Sequence, residues 1–435
     1  MAEVRAFQGL RYNQEMVKDL ALVTTPPYDV IDPAAQEEYY RRSPYNIIRL
    51  ELGKILPTDT ERDNRYTRAA TYLKEWLRAG ILQKDPTPHF YIYQQSFPGE
   101  NGELLTRTGL VGRVRLVPYT SGEILPHEET LPKAKADRLA LLQACRTNFS
   151  PIFSLYVDRE RKVDNILQEF ISQNPPWAEF TDPEQTTHRL WALGNPDLID
   201  SIEKSFAQQT IYIADGHHRY ETALEYSLGR QGSGNEGYNY VMMVLVNLYD
   251  PGLVILPTHR LVRNLASFSL DNFLKKVRVN FLVEETSLSL EDFLAGLKTQ
   301  GLHTLGFYAG GQKFFYLKLK PELDLDRLYA PDKSPGWRRL DVAILHGLIL
   351  EPLLGIGQAQ REGESNLTYT RDAAQAYQEV KKGNQQMAFF LLPTPVEQVL
   401  AVAASGDKMP QKSTYFYPKL ITGLVLHPLD DLEAI

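Results

Sequence analysis

The spacing of apolar residues along the chain predicts a mixture of helices and strands. Apolar side chains recur every three or four residues from Glu61 to Ala79, which predicts a helix that stops at Gly80. Phe90–Phe97 and Gly109–Val117 are β-rich runs, and the turn-forming residues Pro98–Gly102 between them predict an antiparallel hairpin. This mixture favours an α+β fold.

Other runs predict further elements with a clear division between core and surface. Ile47–Leu52 alternates apolar and charged residues, which predicts a strand with one polar face, and Tyr240–Leu248 is apolar enough to be a central buried strand. A helix from Pro132 is expected to turn Leu139, Leu142 and Cys145 inward. Additional strands are predicted at Ser150–Asp158, Val254–Arg260, Gly306–Ala309, Phe314–Leu319 and Met387–Leu392, and additional helices at Leu270–Val279, Leu340–Leu354, Arg371–Lys382 and Val396–Ala404.

The composition restricts the compartment and the partners. The chain has 435 residues, a formal net charge of -7 and one cysteine, Cys145. An acidic chain supplies no general basic field, so nucleic acid is excluded as the default partner. A lone cysteine forms no internal disulfide, and the sequence shows neither a signal peptide nor an apolar run of bilayer length. We therefore expect a cytoplasmic protein without a membrane partner; its oligomeric state is left open.

The main chemical motif lies where strand periodicity changes to helix periodicity. Ile211–Ile213 predicts a short strand, and Asp215, Gly216, His217, His218 and Arg219 follow it at the start of a predicted helix. Residues 215–219 are called the phosphate box below. The free N–H groups of a helix N-terminus bind anions, and arginine adds a planar two-pronged donor. The alternative is that Asp215 caps the helix and that both histidines are solvated first-turn residues.

The sequence resembles known families through this box. Gly-His-His-Arg at a strand-to-helix joint resembles the second box of the ParB/sulfiredoxin superfamily, and Ile213–Tyr220 is most similar to its free serine kinase branch. Together with Pro26–Ile31 and Lys412–Lys419, it also resembles a large prokaryotic family whose domain has no assigned function. The resemblance implies a ParB/sulfiredoxin-like mixed-sheet core. It divides the chain into an N-terminal α+β segment at 1–118, a phosphate-binding core at 119–265 with an insertion at about 159–206, and a C-terminal α+β segment at 266–435.

A second motif precedes the predicted helix at Pro132. The order Pro126, His127, Glu128, Glu129 before a helix and a strand is similar to that of the serine kinases, which implies that Glu128 or Glu129 takes the proton from an acceptor hydroxyl. Without the resemblance, acidic residues here would only complement the helix dipole. The insertion of about fifty residues departs from the family pattern. It could either shape a substrate pocket or cover the sheet. Second-rank site candidates are Asp29, Arg49, His127, His259, Arg260, Lys412 and Ser413.

Three chemistries of the superfamily are separated by the residue after the glycine of the box. Sulfiredoxins need a cysteine there, whereas this chain has His217, and ParB-type switches carry two arginines and a following basic helix-turn-helix that are not found here. The remaining expectation is a phosphotransferase with His217 among its catalytic residues. Asp215 is the candidate Mg²⁺ contact, ADP or ATP the donor, and free serine or a similar hydroxy metabolite the acceptor. A histidine-dependent phosphatase acting on phosphoserine-like substrates and a non-catalytic nucleotide- or metabolite-binding regulator remain as alternatives.

Overall fold

The computed structural model describes residues 1–100, 102–128, 132–230, 236–363 and 365–430 as two compact units. The first unit comprises Met1–Pro126, Thr130–Leu253 and Pro418–Ile435, and the second comprises His127–Glu129 and Val254–Tyr417. The helices are α1 Pro33–Arg42, α2 Ile48–Glu51, α3 Arg65–Arg78, α4 Pro132–Cys145, α5 Lys162–Gln173, α6 Pro196–Phe206, α7 His217–Leu228, α8 Leu270–Val277, α9 Leu290–Thr299, α10 Leu325–Leu328, α11 Pro335–Arg338, α12 Asp341–Leu345, α13 Glu351–Leu354, α14 Gln358–Glu362, α15 Ala373–Lys381 and α16 Val396–Ala404. The strands are β1 Val4–Arg5, β2 Leu10–Tyr12, β3 Leu82–Lys84, β4 Phe90–Pro98, β5 Leu104–Arg115, β6 Ile124–Pro126, β7 Thr147–Asn148, β8 Ile152–Tyr156, β9 Ala178–Thr181, β10 Thr187–Leu193, β11 Ile211–Asp215, β12 Tyr240–Asn247, β13 Val254–Leu256, β14 His259–Val262, β15 Phe281–Thr286, β16 Thr304–Tyr308, β17 Phe314–Leu319, β18 Leu367–Thr370, β19 Met387–Phe390, β20 Tyr415–Tyr417 and β21 His427–Pro428.

A nine-stranded mixed sheet is the frame of the first unit. Its order is β6-β11-β8-β12-β5-β4-β10-β9, with β1 beside β5. β4 and β5 form the predicted antiparallel hairpin, and every residue of β12 is buried, which confirms the prediction of a central strand. The strands β6 and β11 run parallel, as do β8 and β12, whereas β11 runs antiparallel to β8. The chain thus has a mixed-sheet core with helices packed on it.

The segment at 159–206 contributes strands as well as helices. It contains α5, β9, β10 and α6, and β10 pairs with β4 over seven residues, from Thr187 with Ser96 to Leu193 with Phe90. Trp191 on β10 is buried in the hydrophobic core of the first unit. The predicted insertion therefore includes two strands, β9 and β10, that extend the main sheet.

Two strand predictions are wrong. Ile47–Leu52 holds the short helix α2, because the Asn46 side chain accepts a hydrogen bond from the Ile48 N–H at 2.9 Å and starts a turn. Glu51, expected on a polar face, is buried. Val254–Arg260 is divided into β13 and β14 around Pro257, whose nitrogen has no proton for a ladder hydrogen bond. His259 and Arg260 therefore begin β14 instead of ending a longer strand.

A six-stranded sheet organises the second unit. Its order is β15-β17-β16-β19-β14-β18, and the predicted strands β16, β17 and β19 all belong to it. The predicted helix at Leu340–Leu354 consists of α12, a π-helical turn at His346–Leu350, and α13. The helices α8, α15 and α16 also match their predicted positions. Among the residues that the structure covers, no helix combines the length and the apolar character needed to cross a bilayer.

Candidate functional site

The phosphate box lies at a strand-to-helix joint in the first unit. β11 ends at Asp215, Gly216 takes the left-handed conformation with φ 96°, and α7 begins at His217. A Cβ on Gly216 would lie 2.9 Å from the guanidinium carbon of Arg219. Glycine is therefore required both for the backbone angle and for the close approach of the arginine. The predicted change from strand to helix across this glycine is confirmed.

Asp215 is the centre of a charge cluster with two cations. One carboxylate oxygen lies 3.3 Å from Lys419 Nζ and the other 3.4 Å from an Arg219 nitrogen. Burial alone would raise the pKa of Asp215, but Lys419 and Arg219 outweigh it and lower the pKa to about 2. The carboxylate is therefore ionised at neutral pH and fixes both cations beside the helix N-terminus.

Arg219 is held by protein groups on two sides. One guanidinium nitrogen donates to the Pro151 carbonyl at 2.6 Å, and another donates to Asp215. Only 12% of the side chain is exposed, and Nε is buried without a hydrogen-bond partner among the described residues. Arg219 thus joins the first turn of α7 to the segment before β8. Its role as a two-pronged phosphate ligand stays a prediction.

The two histidines occupy the first turn of α7 at different depths. His217 is buried and His218 is half-buried. His217 also contributes to the lowered pKa of Asp215, after the larger effects of Lys419 and Arg219. Within the described residues, no side chain caps the start of α7. The joint can therefore present main-chain N–H groups, an imidazole and the Lys419 ammonium to an anion.

A buried ion pair between Glu51 and Arg138 lines the same small cavity as Arg219, and it was not predicted from the sequence. Glu51 accepts hydrogen bonds from Arg138 at 3.3 Å and from Ser150 at 2.8 Å, and Tyr28 stacks on the Arg138 guanidinium at 4.0 Å. A cavity of about 50 Å³ is lined by Glu51, Arg138, Ser150 and Arg219, among others. Burial raises the pKa of Glu51, against the effect of Arg138. Tyr28 stands in the Pro26–Ile31 motif, so this motif is the sequence signal that could have led to the cluster.

The second motif joins the C-terminal motif within the second unit. His127 Nε2 lies 3.0 Å from Thr414 Oγ1, and Glu128 Oε1 accepts from the Lys412 N–H at 2.7 Å. Arg260 donates to the Lys412 carbonyl at 2.9 Å. Glu128 is therefore an anchor for the segment that carries Lys412. Glu129 lies outside the described residues, so its role stays a prediction.

Three of the four remaining second-rank candidates make contacts with other parts of the protein, and the fourth, Asp29, is exposed. Arg49 stacks on Tyr40 at 4.4 Å and donates to the Tyr40 carbonyl, and Asp29 lies exposed in a short 3₁₀ turn. His259 Nδ1 accepts from the Leu391 N–H at 3.3 Å, and burial lowers its pKa to about 4. Ser413 is buried and donates to the Pro410 carbonyl. Arg49, His259 and Ser413 thus have protein partners, and the site roles of all four residues stay predictions.

The donor set does not form a ready cage for a metal ion. Both carboxylate oxygens of Asp215 face cations, and no group of three or more His, Cys, Asp or Glu residues suited to a metal occurs in the described part of the chain. Mg²⁺ commonly uses one or two carboxylates together with waters and substrate phosphates. In this arrangement Lys419 and Arg219 compete with Mg²⁺ for the Asp215 carboxylate.

The chain belongs to the family described as "Protein of unknown function (DUF1015)", which it matches over residues 4–343. A comparison with curated proteins gives no match. Among solved structures, the chain is similar to a conserved hypothetical protein from Pyrococcus furiosus, with 14% identity, a TM-score of 0.35, and coverage of 71% of this chain and 94% of that one.

Two further solved structures extend the comparison. A free serine kinase in complex with AMP has 14% identity and a TM-score of 0.35, over 69% of this chain and 89% of that one. SbnI with a C-terminal truncation, from Staphylococcus aureus, has 12% identity and a TM-score of 0.34, over 73% and 91%. At TM-scores this low, the likeness supports no inference about the function of this chain.

Proposed function

We propose that this chain is a nucleotide-dependent phosphotransferase of the ParB/sulfiredoxin superfamily that acts on a small hydroxy compound such as free serine. The observation that carries the proposal is the cluster of Asp215, Lys419 and Arg219 at the N-terminus of α7, across a glycine with φ 96°. In the proposed domain division, this cluster joins the phosphate-binding core at 119–265 to Lys419 of the C-terminal segment.

The proposed phosphate ligands are the first N–H groups of α7, His217, His218 and Lys419. Helix N-terminal N–H groups and a nearby ammonium both stabilise phosphate oxygens, and the partial burial of the joint strengthens that attraction. Asp215 holds Lys419 at 3.3 Å, and Arg219 fixes the turn through Pro151. Their common effect is to orient the cationic groups before the nucleotide arrives, which is the main requirement of phosphoryl transfer.

The proposed base is Glu128 or Glu129. Support comes from the first unit, where β6 and β11 run parallel with Pro126 opposite Ile213. The strand that leads into the Pro-His-Glu-Glu motif therefore ends at the same edge of the sheet as the strand that leads into the phosphate box. A carboxylate there would take the proton from the acceptor hydroxyl as the phosphoryl group moves. Mg²⁺, when bound with the nucleotide phosphates, would neutralise charge on the phosphoryl group.

Calorimetry and a product assay test the proposal in sequence. The full chain is titrated with ADP and ATP, each with Mg²⁺, and Lys419→Gln is compared with Lys204→Gln, whose side chain on α6 is 73% exposed. Nucleotide affinity should fall roughly tenfold or more in Lys419→Gln, because a charged contact to phosphate is lost, and should be unchanged in Lys204→Gln. Absence of nucleotide binding by the wild-type chain contradicts the proposal.

The product assay separates the three functions. Formation of phosphoserine from free serine and a bound nucleotide supports the phosphotransferase. Release of phosphate from phosphoserine without a nucleotide favours the histidine-dependent phosphatase. Nucleotide binding without turnover of serine or of other small hydroxy compounds favours the regulator.

A further inference from the structure

We propose that the second unit has a ligand site of its own, for a small organic anion that carries a planar ring. The site is a cavity of about 360 Å³, which falls within the size range of small-molecule pockets. It lies wholly within Val254–Tyr417, and it uses no residue of the phosphate box. The residues that define its chemistry are Tyr329, Lys333, Trp337, His346, Arg361 and Tyr369.

The wall of this cavity is formed by a π-helical turn and by two aromatic side chains that the protein itself holds in place. The helix that carries it is interrupted by a π-helical turn at His346–Leu350, and such turns are frequent at functional sites. The Tyr329 ring packs directly on Gly347, where a Cβ would lie only 2.4 Å from Tyr329 Cδ2. The indole N–H of Trp337 donates to the Lys408 carbonyl at 2.9 Å. Both aromatic side chains are thus held in place before any ligand binds.

His346 has a buried ring nitrogen that a polar group of a ligand could satisfy. The residue is 94% buried, and Nε2 has no hydrogen-bond partner among the described residues. Burial lowers the pKa of His346 well below the ordinary value, and Arg260 and Arg361 act in the same direction. The imidazole is therefore neutral at neutral pH and carries one donor and one acceptor nitrogen. A buried nitrogen without a partner is costly, and a polar group of a ligand would satisfy it.

The charges beside the cavity favour an anion. Among the described side chains that line it, Lys333 and Arg361 are cationic and Glu351 is anionic. Glu351 is 64% exposed and lies 3.8 Å from Arg361, so it neutralises that guanidinium only weakly. Arg260 adds a third cation near the cavity, because its guanidinium lies 5.7 Å from the centre of the Tyr369 ring and burial lowers its pKa only to about 10. An anionic group is therefore expected on the side of His346 and Arg361.

The aromatic residues favour a flat ring in the ligand. Trp337, Tyr329 and Tyr369 line the same cavity, and aromatic faces of this kind stack on planar rings. Purine nucleotides and aromatic carboxylates both combine a planar ring with an anion. The site is defined by what the two classes share, a planar ring with an anionic group. Binding experiments decide between the two classes.

Calorimetry on the full chain tests this site with four probes. AMP and indole-3-acetate each carry a ring and an anion, whereas adenosine has the ring alone and inorganic phosphate the anion alone. At least one of the two ring-bearing anions should bind roughly tenfold more tightly than adenosine and phosphate. If neither ring-bearing anion binds, or if phosphate binds as tightly as AMP, the proposal is overturned.

Variants locate the binding. Lys333→Gln and Arg361→Gln should each weaken binding of the ring-bearing anion roughly tenfold, because each removes one cation from the cavity. The matched control is Arg327→Gln, which removes a charge from an 89% exposed side chain of the same unit. Binding should also quench tryptophan fluorescence, and Trp337→Phe should abolish that signal. The proposal is overturned if Arg327→Gln weakens binding of the anion as much as Lys333→Gln and Arg361→Gln do. It is also overturned if only Lys419→Gln, in the first unit, weakens binding, because the anion would then bind outside this cavity.

Discussion

Asp215 and Gly216 show how two adjacent residues define the phosphate box. The glycine allows a φ of 96° and leaves room for the Arg219 guanidinium, while the aspartate holds Lys419 and Arg219 through its two oxygens. Neither residue could replace the other, because Gly216 contributes the absence of a side chain and Asp215 contributes a fixed negative charge. Their effects can therefore be separated by substitution.

Asp215→Asn should change the pH dependence of stability. The folded-state pKa of Asp215 is lowered from 3.8 to about 2, so ionised Asp215 stabilises the fold above pH 3.8, and this stabilisation is lost as pH falls toward 2. The difference in free energy of unfolding between wild type and variant should shrink by about 2 kcal/mol across this window. It is measured by urea denaturation at several pH values. Asp200→Asn, on a 60% exposed side chain, is the control, and an equal pH-dependent change there would contradict the assignment.

Gly216→Ala should lower the free energy of unfolding more than the same substitution at a left-handed glycine with open space around it. A left-handed residue with a side chain costs about 1–2 kcal/mol, and the Arg219 guanidinium must also shift, which disturbs its hydrogen bonds to Pro151 and Asp215. Gly122→Ala is the matched control, because Gly122 has φ 73° but no heavy atom within 4 Å of the added Cβ. Urea denaturation measures both variants. If both variants lose the same free energy of unfolding, the packing of Arg219 on Gly216 does not contribute to stability.

At the scale of elements, periodic runs were predictable and locally capped turns were not. The helix α3 and the hairpin β4–β5 follow directly from apolar spacing and turn residues. Residues 47–52 alternate like a strand, yet the Asn46 side chain starts a helical turn there and buries Glu51 against Arg138. Strand β10 was missed because its pairing with β4 joins residues about a hundred positions apart. Long-range pairing is decided by the tertiary fold, which a local pattern does not contain.

The helix α3 offers a test of its N-terminal cap. The Asn64 side chain accepts from the Tyr66 and Thr67 N–H groups, and Thr67 Oγ1 accepts from the Asn64 N–H. Asn64→Ala should lower the free energy of unfolding by about 1 kcal/mol, since it leaves helix N–H groups without a partner. Asn64→Asp keeps the acceptor and should lose less. A smaller loss in the alanine variant than in the aspartate variant, measured by thermal unfolding, would contradict the capping role.

At the scale of the whole molecule, the predicted site residues fall into two groups. The phosphate box and Lys419 belong to the first unit, whereas His127, Glu128, Arg260 and the Lys412 segment belong to the second. The sequence indicated the box because strand, glycine and helix are contiguous there. It did not indicate Lys419 as a partner of Asp215, because about two hundred residues separate them and only the folded chain joins them. The burial of Cys145, which raises its thiol pKa to about 12, agrees with the exclusion of thiol chemistry.

The proposed base gives the last prediction, which concerns activity. Glu128→Gln keeps the oxygen that accepts the Lys412 N–H, so the segment should stay anchored while basicity is lost. If Glu128 is the base, turnover should fall by roughly 100- to 10,000-fold. If Glu129 is the base, Glu129→Gln should show that loss instead. In both variants, nucleotide affinity and thermal stability should change little, because the phosphate box is untouched.

The two variants should respond unequally, since only one carboxylate can lie within hydrogen-bond reach of the acceptor hydroxyl. Turnover of serine and nucleotide affinity are measured for both, with Glu128→Ala added to separate anchoring from basicity. Glu128→Ala removes the acceptor of the Lys412 N–H and should therefore lower thermal stability, whereas Glu128→Gln should not. Full turnover in both glutamine variants would remove the glutamate mechanism and leave nucleotide binding as the function of the box.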